Sequence, residues 1–307
     1  MTTITETTQR TSSNQQRPRF RPPLSVQRYL YVCDVIRHLS QHQHQQHHDD
    51  DNGDDKKSIE SVADLGSGCC RLAWHLKQLP FLRCIRCLDL NDNCFEGNTY
   101  VVPSMEERLT DRSCPLQIEL YQGDVRQNDY RFLRTDIVTC VEMIEHLPIE
   151  SLDSFAMNVF DFIRPRYAII TTPNFDYNDL CRMKNDNDVD DDDDNDDNQR
   201  DHYRDPRFRD CDHYFEFTRQ EFKQWCDQIL VKYPLYTYRL SGVGRLRSLD
   251  PDMQRGYATQ IAIFKRKFNN DDDDGDEEQQ QSNGSIQQNY HHIRTHYFGQ
   301  PWSRWKP

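Results

Sequence analysis

Ser61-Val62-Ala63-Asp64-Leu65-Gly66-Ser67-Gly68 reads as the start of a repeating strand–helix pattern. A short apolar run closed by turn residues reads as a buried strand. It ends on an acid and two glycines, and a helix over 72–79 follows, stopped by Pro80. Glycines at that junction permit positive φ and let backbone come close to a ligand. The alternation continues downstream, with strands at 85–90, 117–121, 136–141 and 167–171 and a helix at 149–163 ended by Pro165. Thr218 with Glu221 three residues on is a capping box for a helix through Phe222, Trp225, Ile229 and Leu230. Two late strands are expected at 236–240 and 260–264, and an early helix at 26–39. Alternating β and α predicts an α/β, Rossmann-like fold with a seven-stranded, mostly parallel sheet and helices on both faces.

Composition limits how much of the chain folds. Apolar residues make up 35% of 307, and mean hydropathy is −0.97. The runs 49–55, 186–197 and 271–278 are acidic and almost free of apolar side chains, too little to offset the entropy of ordering. The expected organisation is therefore a disordered tail at 1–19 and a folded domain at 20–268. That domain is interrupted by low-complexity insertions at about 41–57 and 184–203, and a disordered acidic and Gln-rich tail follows at 269–307. The three runs carry 21 acidic residues and no Lys or Arg, so the formal charge of −13 becomes +8 without them. A basic folded part suits a polyanionic partner. Eleven scattered cysteines, a polar start and no apolar run near the roughly 20 residues of a membrane span point to a reducing, non-membrane compartment. Cys84-x-x-Cys87 lies in a strand, where positions three apart face opposite ways, so buried thiols are expected rather than a metal pair.

The 136–141 strand runs into Glu142-Met143-Ile144-Glu145-His146. Chemistry in open α/β sheets sits just beyond the carboxyl ends of the strands. Two carboxylates and an imidazole there are costly to leave dry and unpaired. If the chain turns helically, Glu142, Glu145 and His146 share one face. His213, in Asp212-His213-Tyr214-Phe215-Glu216-Phe217-Thr218-Arg219, would be the fourth member. Carboxylates suit Mg²⁺, and imidazoles shift the choice towards Mn²⁺ and its neighbours. A helix start with a structural His146–carboxylate pair is the competing reading.

Arg71 stands where a dinucleotide loop wants its third glycine, and the acid precedes Gly66 and Gly68 rather than following them. That order is closer to an S-adenosylmethionine loop. Asp89, at the end of the second strand, is placed to accept from ribose hydroxyls. Asp124, after the third strand, either contacts the adenine amino group or caps a helix.

Taken in order, these segments resemble the small-RNA 3′-terminal 2′-O-methyltransferase family in its short animal-like form, over roughly residues 20–266. The resemblance rests on Pro22-Pro23-Leu24 with Gln27-Arg28-Tyr29, Val62 to Gly66, Asp136 to Leu147, Thr172-Pro173-Asn174, Gly242-Val243-Gly244 and Gly256 to Ile261. Its most specific part is Glu142-x-x-Glu145-His146 paired with Asp212-His213-x-Phe215-Glu216. Ser67 stands where a cysteine is common, Phe217 where a tryptophan is usual, and the acidic insertion ahead of His213 is long. The resemblance implies an S-adenosylmethionine-dependent methyltransferase fold, with the cofactor at Gly66, Gly68, Asp89 and Asp124. It also implies one divalent metal, Mg or Mn, at Glu142, Glu145, His146 and His213, with His146 or His213 also taking the proton.

The expected substrate is a small single-stranded RNA ending in a 2′,3′-diol, presented by an Argonaute- or Piwi-type protein. A monomer is expected, in the cytoplasm, RNA granules included. The rival readings are a methyltransferase of the same fold acting on a small molecule or protein, and a non-catalytic RNA-binding module. A nicotinamide oxidoreductase is disfavoured by the loop.

Overall fold

The structure is a computed structural model that describes residues 20–45, 58–109, 112, 114–181, 207–267 and 288–299. The strands are β1 (Ser61–Leu65), β2 (Cys84–Asp89), β3 (Leu116–Gln122), β4 (Ile137–Val141), β5 (Tyr167–Pro173), β6 (Tyr236–Val243), β7 (Thr259–Arg266) and β8 (His291–Phe298). They form one sheet in the order β6-β7-β5-β4-β1-β2-β3-β8. The run from β3 to β5 is parallel. β7 inserts antiparallel between β5 and β6, as the late strand pair predicted.

Apolar packing covers both faces. α4 (Leu152–Met157), its continuation through 158–163 as a wider π-type turn, and α6 (Arg219–Lys232) cover one face through Phe155, Val159, Phe222 and Trp225. α1 (Leu24–Gln45) and α2 (Arg71–Leu76) cover the other through Val32, Ile36, Leu72 and Leu76. β5, buried at every position, is the strand type that two covered faces require. Two shorter helices, α3 (Met105–Leu109) and α5 (Asn178–Cys181), lie in the connections. Cys87 joins the apolar core, while Cys84 faces the other way beside Glu119, so the pair is not a metal site.

Three expectations need correction. The sheet has eight strands, not seven, because His291–Phe298 pairs antiparallel with β3. The expected disordered tail at 269–307 therefore contains an edge strand. Its pairing is made by backbone, which composition does not report, and buried Tyr290 and Phe298 anchor its two ends. α1 continues to Gln45, into the segment assigned to the first insertion. The expected tail at 1–19 and insertion at 184–203 lie outside the described residues, as does most of 269–307.

The strand order reverses beside β1, whose neighbours are β2 on one side and β4 on the other. Asp64 pairs in register with Thr139, so the loop after β1 and the turn after β4 emerge side by side at the carboxyl edge. That switch point is where such sheets bind ligands.

Candidate active site

Gly66 has φ +73°, and a Cβ there would come within 2.2 Å of the Met143 Cγ. Only glycine both takes that conformation and lets the β4 turn pack so close. Its N–H donates to the Leu88 carbonyl at 2.8 Å. Gly68, φ +47°, faces open space: a Cβ there would meet nothing within 4 Å. The Gly68 N–H donates to Asp89 Oδ2 at 2.7 Å, and Asp89 Oδ1 accepts from the Asn91 N–H at 3.0 Å. The loop is thus held closed by the acid that ends β2, with open space beside it for a ligand. Asp64, below the loop, is buried and accepts from the Thr139 hydroxyl at 2.8 Å. Burial, opposed by that hydrogen bond, pushes its carboxyl up to about 7.

Asp124 caps no helix. Its Oδ1 accepts from the Arg126 N–H at 2.9 Å in a turn, and the Arg126 guanidinium pairs with its carboxylate at 2.5 Å. The hydrogen bonds from Arg126 hold Asp124 below the usual carboxylate range. It stands on the loop that follows β3, the strand beyond β2.

The turn after β4 carries the other group. Glu145, His146 and His213 bring ligand atoms within 4.8 Å of one another. The two imidazoles sit edge to face, 4.8 Å between centroids. Glu145 is fully buried: Oε2 accepts from the Thr172 hydroxyl at 3.0 Å, and Oε1 has no hydrogen-bond partner. Burial and the nearby Glu142 charge push its carboxyl well above the ordinary range. An orphaned buried oxygen facing two imidazoles fits a divalent cation.

Glu142 does not share that face. Its φ of +50° turns it out of the short 3₁₀ turn Ile144–His146, so one-turn helical spacing does not apply. Its carboxylate accepts from the Thr171 hydroxyl at 2.8 Å and pairs with Arg28 of α1 at 3.0 Å. The Arg28 Nε is buried without a partner. Arg28 and Thr171 have no signal in sequence as partners of Glu142, because each reaches it from another element.

His213 is held from several sides. Glu216 Oε1 lies 2.6 Å from the His213 Nδ1. Burial works to raise Glu216, but hydrogen bonds from His213, Asn178 and the Arg209 backbone outweigh it and keep the carboxyl low. An ionised carboxylate only accepts, so Nδ1 is the donor towards Glu216. The Tyr214 N–H donates to the Glu145 carbonyl at 2.8 Å. Arg209 donates to the Asn174 carbonyl at 3.2 Å and the Ala258 carbonyl at 2.5 Å. Gln260 donates to the Phe217 carbonyl at 2.8 Å. Phe217 packs among Phe215, Phe222 and Trp225, so the aromatic exchange at this position keeps a core contact. Downstream of the long acidic insertion, residues 209–217 are thus tied to the loop after β5, to β7 and to the β4 turn. On the outer side, Asp212 Oδ2 lies 3.1 Å from the His146 Nδ1, and Asp210 with Asp212 and His213 forms a second close acid–imidazole set around the same histidine. The spacing His213-x-x-Glu216 was the available signal for the orienting role of Glu216, which the sequence reading did not draw.

No family model matches the chain. Among curated proteins, it is 31% identical over 249 residues to the small RNA 2′-O-methyltransferase of Rattus norvegicus, covering 81% of this chain and 52% of that protein. It is 30% identical to the protein of the same name from Drosophila melanogaster, covering 81% and 56%. The chain therefore spans about half the length of the curated relatives it matches. Among solved structures, the methyltransferase domain of bacterial CtHen1-C superposes with TM-score 0.55 at 26% identity, covering 80% of this chain and all of that one. A small RNA methyltransferase named HEN1 superposes at 0.60 and 23% identity, over 95% of this chain and 29% of that one, and supports the fold.

Proposed function

This chain belongs to the small RNA 2′-O-methyltransferase family, and on that premise we propose that it methylates the 2′-hydroxyl of the 3′-terminal nucleotide of small RNAs. The observation that carries the proposal is the convergence of Glu145, His146 and His213 beside the Gly66–Gly68 loop. A methyltransferase acting elsewhere has no need of that set. S-adenosylmethionine would be held by Gly66, Gly68, Asp89 and Asp124 and would supply the methyl group. A divalent ion, Mg or Mn, at this site would supply Lewis acidity to lower the pKa of the 2′-hydroxyl.

The chain's own residues set up the rest. Glu145, His146 and His213 would hold the ion, and Glu142, paired with Arg28, would add negative charge beside it. Glu216 engages the His213 Nδ1, which would leave Nε2 as the nitrogen for the ion. His146, 35% exposed against 7% for His213, lies on the side of the site open to water, through which the hydroxyl proton would leave. Thr171 and Thr172 orient the two carboxylates.

We infer further that the substrate is single-stranded and delivered by an Argonaute- or Piwi-type protein to a monomer. All eleven cysteines are free, which supports a reducing compartment, the cytoplasm. No helix among the described residues is long and apolar enough to cross a membrane.

Labelled S-adenosylmethionine with short RNAs ending in 2′,3′-diol, 2′-deoxy or 3′-phosphate tests the reading. Only the diol end should take label. Chelation, E142A and H213A should each lower the rate by at least roughly a hundredfold, the scale expected for loss of a metal-centred step. Equal labelling of the deoxy end, or full activity after chelation, would overturn it.

A further inference from the structure

The strand β8 lies outside the seven strands predicted for this fold, and the segment leading into it makes most of its contacts with one loop. That loop, 123–132, follows β3 and carries Asp124. Tyr290, just ahead of β8, is 3% exposed and lies against it. Its hydroxyl donates to the Gln127 carbonyl and accepts from Asn158 Nδ2 at 3.1 Å, and the same Asn158 group donates to the Val125 carbonyl at 2.8 Å. The Tyr290 N–H donates to Asp129 Oδ2 at 2.9 Å, and its carbonyl accepts from Arg131. The ring packs edge to face on Phe132 at 5.0 Å between centroids. At Gly123 an added Cβ would come within 2.3 Å of that ring, so backbone and tyrosine are in direct contact one residue before Asp124. Asn289 and Gln288 add bonds to the Asn128 carbonyl and the Tyr130 hydroxyl at 2.8 and 2.7 Å.

We propose that Tyr290 is a positioning residue for the cofactor, ordering the 123–132 loop so that Asp124 is held ready for the adenine end of S-adenosylmethionine. The inference rests on the proposed cofactor site, to which Asp124 belongs. The loop has no helix or strand of its own between Gly123 and Tyr130, so its backbone groups need partners from elsewhere. Tyr290 and Asn158 supply them from distant points in the chain. Without those partners the loop must be ordered when the ligand binds, and affinity falls by that cost. The sequence 288–298 thus acts on the cofactor end of the site without touching the reacting atoms.

The test is titration of S-adenosylmethionine into the full-length chain and its variants. Y290F keeps the ring on Gly123 and Phe132 and removes only the hydroxyl bonds. It should raise the dissociation constant at least roughly fivefold, the scale of a single lost buried hydrogen bond, since two are removed, and Y290A should raise it further. The KM for S-adenosylmethionine should rise with it, while kcat at saturation and the KM for RNA stay unchanged. Amide exchange over 123–131 should quicken. T218A, which removes a remote helix cap, should lower the melting temperature without altering the titration. Unchanged S-adenosylmethionine affinity in Y290F and Y290A, with a lowered melting temperature, would make Tyr290 merely structural and overturn the inference alone. A wild-type chain that fails to bind S-adenosylmethionine would overturn the cofactor site and this inference with it.

Discussion

At Asp64 sequence and environment diverge. Its place before the glycines was legible from the pattern; its protonation was not. The chain buries it between β1 and β4, with the Thr139 hydroxyl as its hydrogen-bond donor. Its carboxyl is raised from 3.8 to about 7. The unfolded chain therefore releases this proton first. The stabilising term is complete below about pH 4 and is lost as pH rises towards 7. Replacement by asparagine removes the titration. The stability of D64N relative to wild type should accordingly climb between pH 4 and 7, by up to roughly 4 kcal/mol at one pKa unit per 1.4 kcal/mol. Denaturant melts at several pH values give the difference, and a flat difference would contradict the assignment. Glu145 shows the same physics at the proposed ion site, where burial and Glu142 both disfavour its charge. Glu216 is the contrasting case, since hydrogen bonds from His213, Asn178 and the Arg209 backbone outweigh burial and keep its carboxyl low.

Elements were read best where local rules suffice. The capping box at Thr218 is present in full: the Glu221 N–H donates to the threonine hydroxyl, and the glutamate reaches back to the Thr218 N–H. T218A should cost about 1 kcal/mol in thermal unfolding, the usual penalty for losing an N-cap, and no change would mean that tertiary packing alone starts α6. Strand boundaries for β1 and the start of β5 follow the apolar runs, because both strands are buried on two faces. β8 followed no such rule. Its side chains are mostly polar or half-exposed, and what fixes it is a ladder on β3 far back in sequence. The helix expected over 149–163 is continuous in space but changes hydrogen-bond pattern at Asn158. There Asn158 turns to serve Val125 and Tyr290, a demand set by the neighbouring loop.

For the molecule as a whole, charge is the property that sequence predicts most directly. Outside the three acidic runs the formal balance is +8. An RNA held by about four phosphates should then lose affinity with a log–log salt slope near −3, at roughly 0.7 per contact for single strands. Fluorescence anisotropy with a labelled RNA between 50 and 300 mM salt measures it, and a slope near zero would remove backbone attraction from the account.

Much of the site was also visible at this scale. Gly66, Gly68, Asp89, Glu145 and His146 stand at the strand ends where the alternation placed them, because parallel order and the switch beside β1 bring the loop ends together, whereas His213 is brought to them by the contacts of residues 209–217. Sequence by itself determined the strand–helix rhythm, the glycine loop and the chemistry available at the ends of β1, β2 and β4, since each depends on residues close in the chain. Only the tertiary structure decided that Glu142 turns to Arg28, that burial raises the Asp64 carboxyl to about 7, and that a polar C-terminal segment adds an edge strand and braces the Asp124 loop. Those outcomes depend on burial and on partners tens to hundreds of residues away, which no local pattern encodes.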